Sequence, residues 1–357
     1  RTLAALAAQT RPVQRVVLVD AAPGARPDDL AAAVPDAVAR LAQVAPTRLV
    51  TAPGVRTFGG AVRAALESEG AGEGEAGGTA GGEHAWLWLL HDDSAPEPGA
   101  LAALVRAVEI APSVAVAGAK QRTWDGPPRV VEVGVTTSRF GRRMTGIDEP
   151  EVDQGQHDAR DDVLAVGTAG ALVRRDVWDS LGGTDPALGP FGDGLDLSRR
   201  ARLAGHRVVV VPGAVVRHAQ AALRGLREGW DDRRSARARR EAFLHQQLVG
   251  VPALLVPVVA VLAVVSGAVR ALGRVATKEP HLVVGELVAP WRVLARPGRI
   301  RRARRRLRAT SVLPRRTLRP LEATWRDVVG QLRDRRLAAA EARRAATAPS
   351  ELELREL

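Results

Sequence analysis

At 357 residues the chain is long enough to bury a sizeable core, as one large domain or two ordinary ones. It contains no cysteine, which excludes disulfides, thiolate nucleophiles and thiolate-held metals. The formal net charge of +12 asks for an anionic partner, but lysine occurs only at Lys120 and Lys278 and the positive excess is concentrated beyond Arg224, so the tail carries that demand.

The chain opens at Arg1-Thr2-Leu3, with neither Met nor a signal-peptide pattern. Residues 1–9 read as a helix that should follow an earlier strand, so the sequence is expected to be a fragment whose first strand is missing. Residues 15–20 form a short apolar run ending in Asp20. Residues 27–41 read as a helix, 47–51 as a strand and 59–67 as a helix. A Gly/Glu/Ala segment over 70–82 reads as a surface loop. Residues 86–90 are a third apolar strand that runs into His91-Asp92-Asp93-Ser94, followed by a helix over 98–110 and a strand over 114–119.

An irregular stretch, 121–162, separates this half from a small-residue loop entering a strand over 167–174. Then come a short helix over 176–181, a turn-rich segment, a helix over 195–204 capped by Gly205, and a strand over 206–211 closed by Pro212. Continuous apolar strands alternating with helices predict an α/β fold, a mostly parallel sheet with helices on both faces. Such sheets bind ligands beyond the carboxyl ends of their strands, where Asp20, Asp92 and Asp93 all stand.

Three motifs carry chemistry. Adjacent carboxylates at a strand end, Asp92 and Asp93, suit a hard divalent cation that bridges a diphosphate; capping of the next turn is the competing reading. Asp193 and Asp196 open a helix, whose dipole favours an ionised carboxylate able to act as a general base; helix capping competes here as well. His218, just past a strand and turn, is placed to complete a cation site, although a lone His is more often a surface residue.

Taken in order, these pieces resemble family-2 inverting glycosyltransferases of the GT-A fold, especially large actinobacterial, membrane-associated ones. The resemblance runs from about residue 1 to 219. It rests on Val16-Val17-Leu18-Val19-Asp20, the Gly-rich turn Ala52-Pro53-Gly54-Val55-Arg56-Thr57-Phe58-Gly59-Gly60, and His91-Asp92-Asp93 in the place of the metal-binding Asp motif. It continues through Gly167-Thr168-Ala169-Gly170-Ala171 with Trp178, and Asp193-Gly194-Leu195-Asp196. The first Asp of the family's metal triplet is His91 here.

The resemblance implies a GT-A fold (Rossmann-like, with a mostly parallel mixed sheet) and the following roles. Asp20, Gly54, Arg56, Gly59 and Asp92 would bind the nucleotide-sugar; Asp93 and His218 would hold Mg2+ or Mn2+. Asp193 or Asp196 would take the acceptor proton, with Gly170 and Trp178 on the acceptor side. The donor would be UDP-, GDP- or dTDP-linked and the acceptor a glycan or a lipid-linked one. A GT-A-like nucleotidyltransferase and a catalytically degenerate membrane scaffold are the alternatives.

Residues 248–269 carry no charge and exceed the roughly 20 apolar residues that cross a bilayer. Basic runs flank this segment and the weaker apolar stretch 281–295, which reads as interfacial, so a hairpin or re-entrant pair satisfies the positive-inside rule. The run 299–308 is expected against anionic lipid headgroups, and without aromatic interleaving no nucleic acid is expected. The expected division is a GT-A domain over 1–222, a basic linker helix over 223–247, membrane-associated helices over 248–296 and an arginine-rich helical tail over 297–357. The catalytic domain is expected on the cytoplasmic side of the plasma membrane.

Overall fold

The structure is a computed structural model and describes residues 1–70, 85–138, 143–145, 147, 151–227, 230–330, 333, 337 and 340. From residue 71 on, the loop expected over 70–82 lies outside the described residues; so does the part of the expected tail beyond residue 330, apart from residues 333, 337 and 340.

The chain opens with α1 (Thr2–Ala7) and β1 (Val16–Asp20). The helix read across 27–41 is two, α2 (Asp29–Ala33) and α3 (Pro35–Val44). Pro35 has no N–H to continue a ladder, and it starts the second helix where none is needed. β2 (Thr47–Thr51) pairs with β1 in parallel, opposing Asp20 to Thr51, and α4 (Phe58–Gly70) follows. Then come β3 (Trp86–Leu89), β4 (Ser94–Pro96), α5 (Ala100–Ile110) and β5 (Val114–Arg122). The stretch read as irregular contains β6 (Arg129–Glu132), β7 (Thr136–Thr137), β8 (Arg143–Met144) and β9 (Glu151–Val152). β10 (Ala171–Arg174), α6 (Arg175–Leu181), α7 (Asp193–Leu203) and β11 (Arg207–His218) complete the first part.

The main sheet runs in the order β3-β10-β5-β11-β4, with β6 and β9 attached beside β5. It is mixed: β5 and β11 are parallel, whereas β10 is antiparallel to both β3 and β5, and β4 is antiparallel to β11. The sequence rhythm predicts more parallel pairing because it cannot show β10 returning between β3 and β5. Helices cover both faces. Trp178 and Leu181 of α6 and Leu197 of α7 pack on Leu89, Val116 and Val173, while Leu101, Leu104 and Val108 of α5 pack on Leu172, Val209 and Val216. Each such side chain contributes roughly 1.5–3 kcal/mol of burial, and this is what fixes the strand ends that bear the site.

β11 does not stop at Pro212. It pairs with β5 up to Val211, shifts register, and resumes at Val215 through Arg217. Pro212 thus sits in a bulge, where its missing N–H costs no ladder bond. This irregularity carries the strand on to His218.

Then come α8 (Asp232–Gly250), α9 (Val256–Ala276), α10 (Val283–Leu294) and α11 (Pro297–Thr310). α9 and α10 form an antiparallel hairpin, with Gly267 close against the Glu286 carbonyl and Pro290. Among the described residues, Ala253–Ala276 is the helix long and apolar enough to cross a membrane. Basic side chains of α11 do not all face outward. Arg304 Nη1 donates to the carbonyls of Leu248, Val249 and Val251 at 2.6, 3.2 and 2.7 Å, supplying the orphan acceptors at the end of α8. That part of the expected headgroup-facing run is spent inside the fold.

Candidate active site

The end of β3 turns sharply through His91-Asp92-Asp93-Ser94. Ser94 is fully buried; its Oγ accepts from the His91 N–H at 2.9 Å and donates to the His91 carbonyl at 2.7 Å. β4 then pairs with β11 so that Ser94 opposes His218. That register, made possible by the bulge at Pro212, brings His218 Nε2 to 3.4 Å from Asp93 Oδ1. His91 Nδ1 lies 3.9 Å from the same oxygen. One ligand atom from each of His91, Asp93 and His218 falls within 4.8 Å of the others.

Each ring is held from behind. Gln121 Nε2 donates to the Ala169 carbonyl at 3.3 Å, so its Oε1, 2.9 Å from His218 Nδ1, must accept. His218 therefore donates from Nδ1 and presents Nε2 to Asp93. His91 Nε2 lies 2.9 Å from Thr168 Oγ1, leaving Nδ1 toward the carboxylate. Burial first, and then the charge of His218, push His91 down to about 4, so its ring is neutral at pH 7. Burial alone would raise Asp93, but the facing His218 ring and the Ala221 N–H hold its carboxyl well below the usual range.

Asp93 Oδ1 is buried and has no hydrogen-bond partner among the described residues. A buried carboxylate oxygen left without a hydrogen bond between two imidazole nitrogens is poorly served by protein alone and well served by a divalent ion. The residues therefore fit a metal, and two imidazoles tilt the set toward Mn2+ rather than the oxygen-seeking Mg2+.

Around this centre stand the other predicted residues. Asp92 points outward and pairs with Arg227, whose Nη2 also lies 3.7 Å from Asp93 Oδ1. Asp20 ends β1 with its Oδ1 bonded to the Ala22 N–H at 2.9 Å, and its carbonyl accepts from Ala52 at 2.7 Å, so it shares a rim with the exposed Gly54 and Arg56. Phe58 lies against His91, ring centroids 4.4 Å apart. A side chain on its neighbour Gly59 would stand 1.8 Å from Thr184 Oγ1. The start of α4 thus bridges the metal-side His and the loop before α7.

Asp193 opens α7 after Gly192, whose φ of +91° suits glycine. The dipole argument made from sequence is outweighed: burial first, then the charge of Asp196, push Asp193 up to about 7. Its Oδ1 has no partner among the described residues. Asp196 differs. Its Oδ2 accepts from Arg200 Nε at 3.1 Å and from the Asp185 N–H at 3.2 Å, while Arg200 also binds the Leu181 and Gly183 carbonyls. Asp196 is thereby committed to stapling α7 to α6. A Cβ on Gly194 would stand 2.1 Å from the Val166 carbonyl, so the start of α7 abuts the segment whose Thr168 holds His91.

Two acceptor-side expectations fall in the interior. Trp178 is only 3% exposed within the core, and Gly170 is buried with φ +91° under Val216. Both support the site from behind and neither offers a surface to an acceptor. The place of His91 in this cluster and the presence of Arg227 escape sequence reasoning: His91 reads as a departure from an acidic triplet, and Arg227 sits in a coil with no pattern.

The chain matches the family model described as "Glycosyltransferase like family 2" over residues 1–240. No curated protein matches. Among solved structures it is similar to GalNAc-T7 with UDP, GalNAc and Mn2+, with TM-score 0.43 and 14% identity over 61% of this chain; it spans 39% of that protein's length. It is also similar to a mannosyltransferase from Pyrobaculum calidifontis in complex with GDP-Man and Mn2+, with TM-score 0.43 and 16% identity, covering 87% of this chain and 80% of that one.

Proposed function

We propose, from the premise that the chain belongs to the glycosyltransferase-like family 2 and has a GT-A-like α/β fold, that it transfers a sugar from a nucleotide donor to a glycan or lipid-linked acceptor with inversion. One observation carries the reading. The bare Asp93 Oδ1 lies between two imidazoles, one of which is held by Thr168, and the bare Asp193 Oδ1 belongs to a helix start whose Gly194 abuts Val166 and Gly167.

In this reading His91, Asp93 and His218 hold the ion, which when bound neutralises the charge of the departing nucleoside diphosphate. Asp20, Gly54 and Arg56 line the rim that receives the nucleotide, with the buried Gly59 behind it, and Arg227 adds a cation beside Asp92. Asp193 is the general base. It takes the proton of the acceptor hydroxyl as that oxygen forms its bond to the anomeric carbon from the face opposite the diphosphate. The bond to the diphosphate breaks in the same displacement, so configuration inverts. A carboxylate tuned to about 7 suits this duty, since a base works best with a pKa near the working pH.

The transfer unit is assigned to 1–222, with α8 buttressing it: His245 Nε2 meets Asp185 Oδ2 at 2.8 Å and Gln246 donates to the Gly192 carbonyl at 2.9 Å. The apolar helix Ala253–Ala276 and the basic helices beside it support work at an anionic membrane, on the cytoplasmic face of the plasma membrane in cell-envelope glycan synthesis. The test is calorimetric titration of the chain with UDP, GDP and dTDP, each with Mn2+, followed by a hydrolysis screen of the matching nucleotide-sugars. Binding of one nucleotide that needs the metal and is lost in Asp93→Ala is expected. Absence of metal-dependent binding to any of them leaves the scaffold alternative standing instead.

A further inference from the structure

We propose that α8, α9 and α10 together form a site for the phosphate group of an anionic membrane phospholipid, built by Arg239, Arg240, Arg270 and Arg274 around Glu286; it rests on the membrane reading above.

Glu286 is only 5% exposed, on the face of α10 that meets α9. Arg270 grips it with Nε at 2.8 Å and Nη2 at 2.9 Å, Arg274 Nε lies at 3.3 Å, and Arg240 Nε at 3.7 Å. Arg274 also binds Glu279. Arg239, one residue earlier on α8, stands in the same field of Arg274, Glu286 and Arg270, its Nε donating to the Ser235 carbonyl at 3.4 Å. Four guanidinium groups face two carboxylates, so the cluster keeps an excess of two positive charges.

That excess is poorly compensated by the protein. The Arg240 side chain is 9% exposed, its Nη2 donates to Ser266 Oγ at 2.6 Å, and its Nε has no hydrogen-bond partner among the described residues. Holding an under-partnered cation in so dry a place is costly unless an anion completes the set. Arg239 is exposed and Arg270 half exposed, so the cluster opens to the outside. Planar guanidinium forks arranged around an opening suit the tetrahedral oxygens of a phosphate.

The surroundings identify what bears the phosphate. Small residues Ala263, Gly267 and Ala271 bury one face of α9. The opposite face exposes Val258, Val261, Leu262, Val265, Val269 and Leu272, a continuous helical stripe, and α10 adds Val284, Leu287 and the amphipathic Trp291. A free phosphate or a nucleic acid has no use for that stripe. A bilayer surface matches both features, with apolar side chains among the acyl chains and arginines at headgroup depth. Because Arg270 and Gly267 tie α9 lengthwise to α10, the geometry has the hairpin lie along the leaflet.

The test is co-sedimentation of the full chain with phosphatidylcholine vesicles, with and without phosphatidylglycerol. Wild type is expected to prefer the anionic vesicles, and Arg239→Gln/Arg270→Gln to lose about ten- to thirtyfold of that preference, at about 1 kcal/mol per arginine. Its binding to neutral vesicles and of nucleotide with Mn2+ should be unchanged. Arg239→Gln alone, which leaves the Arg270–Glu286 pair intact, should lose about half of the effect in free-energy terms and guards against a folding artefact. Arg40→Gln/Arg106→Gln, at exposed positions of α3 and α5 away from α8, α9 and α10, is the control. An unchanged preference in the first variants, or an equal loss in the control, overturns the site in favour of diffuse charge. Failure of wild type to bind any vesicle removes the membrane reading itself, while the nucleotide titration reports on transfer independently.

Discussion

Gln121 Oε1 lies 2.9 Å from His218 Nδ1, and through that contact a residue of β5 decides which nitrogen of the imidazole faces Asp93. Gln121→Leu keeps the bulk and removes the acceptor, so the ring loses its tautomer preference and its orientation. Partners behind a metal-binding His are typically worth 10–100-fold in affinity. Calorimetry should show Mn2+ binding weakened by about that factor with the thermal midpoint little changed. An unaltered affinity would mean that Gln121 merely fills space.

If His91 and His218 hold the ion, they also set metal preference. Nitrogen donors disfavour Mg2+, which seeks oxygen and keeps its waters, relative to Mn2+. The wild-type chain should therefore support nucleotide binding with Mn2+ far better than with Mg2+ at equal concentration. His91→Asp restores an acidic residue at the head of the turn, beside the buried Asp93, and should narrow the gap. Equal performance of both ions in wild type would argue that the histidines stand outside the coordination sphere.

Asp193 predicts opposite effects on stability and on rate. Its pKa is raised from 3.8 to about 7 in the folded chain, so between those values the folded state holds a proton that the unfolded state has released. Stability therefore falls as pH rises through that window, and above about 7 the full cost is present. Asp193→Asn removes this penalty. Chemical denaturation should show the variant more stable than wild type by about 1–4 kcal/mol at pH 8, with no such gain at pH 4. Transfer by wild type should rise with pH and level off above about 7, while the variant loses about 10²–10⁴-fold. A variant with normal rate, or a wild-type rate that declines across that range, removes Asp193 from the role of base.

Much of this was legible in the sequence, for reasons that also explain what was not. Apolar runs ending in Asp20 and in Asp92-Asp93 mark strand ends because a buried strand must turn polar where it leaves the sheet. The 248–269 run needs no partner to be recognised. Geometry that depends on long-range register was not legible: His218 stands out as a candidate in the sequence, but its approach to Asp93 comes from β11 bulging past Pro212, which a local rule takes as a strand end. The difference between Asp193 and Asp196 is likewise tertiary, since one is buried bare and the other is claimed by Arg200. Local reasoning from helix dipoles sees two similar carboxylates in the first turn of α7.

Gly59 and Thr184 join the start of α4 to the loop before α7. A Cβ on Gly59 would meet Thr184 Oγ1 at 1.8 Å and its Cβ at 3.0 Å, and Thr184 is buried at 2% exposure, so neither partner has room to move. Gly59→Ala should destabilise the fold by about 1–3 kcal/mol, as overpacking does. If the clash is with the hydroxyl, Thr184→Ala should recover most of that loss in the double variant, although the remaining Cβ contact keeps the recovery incomplete. The pair should then show a coupling energy of about 1 kcal/mol or more in a double-mutant cycle read by denaturant unfolding. Additive effects would indicate that α4 shifts as a whole, and in that case the Phe58–His91 contact would move with it and Mn2+ affinity would fall in Gly59→Ala alone.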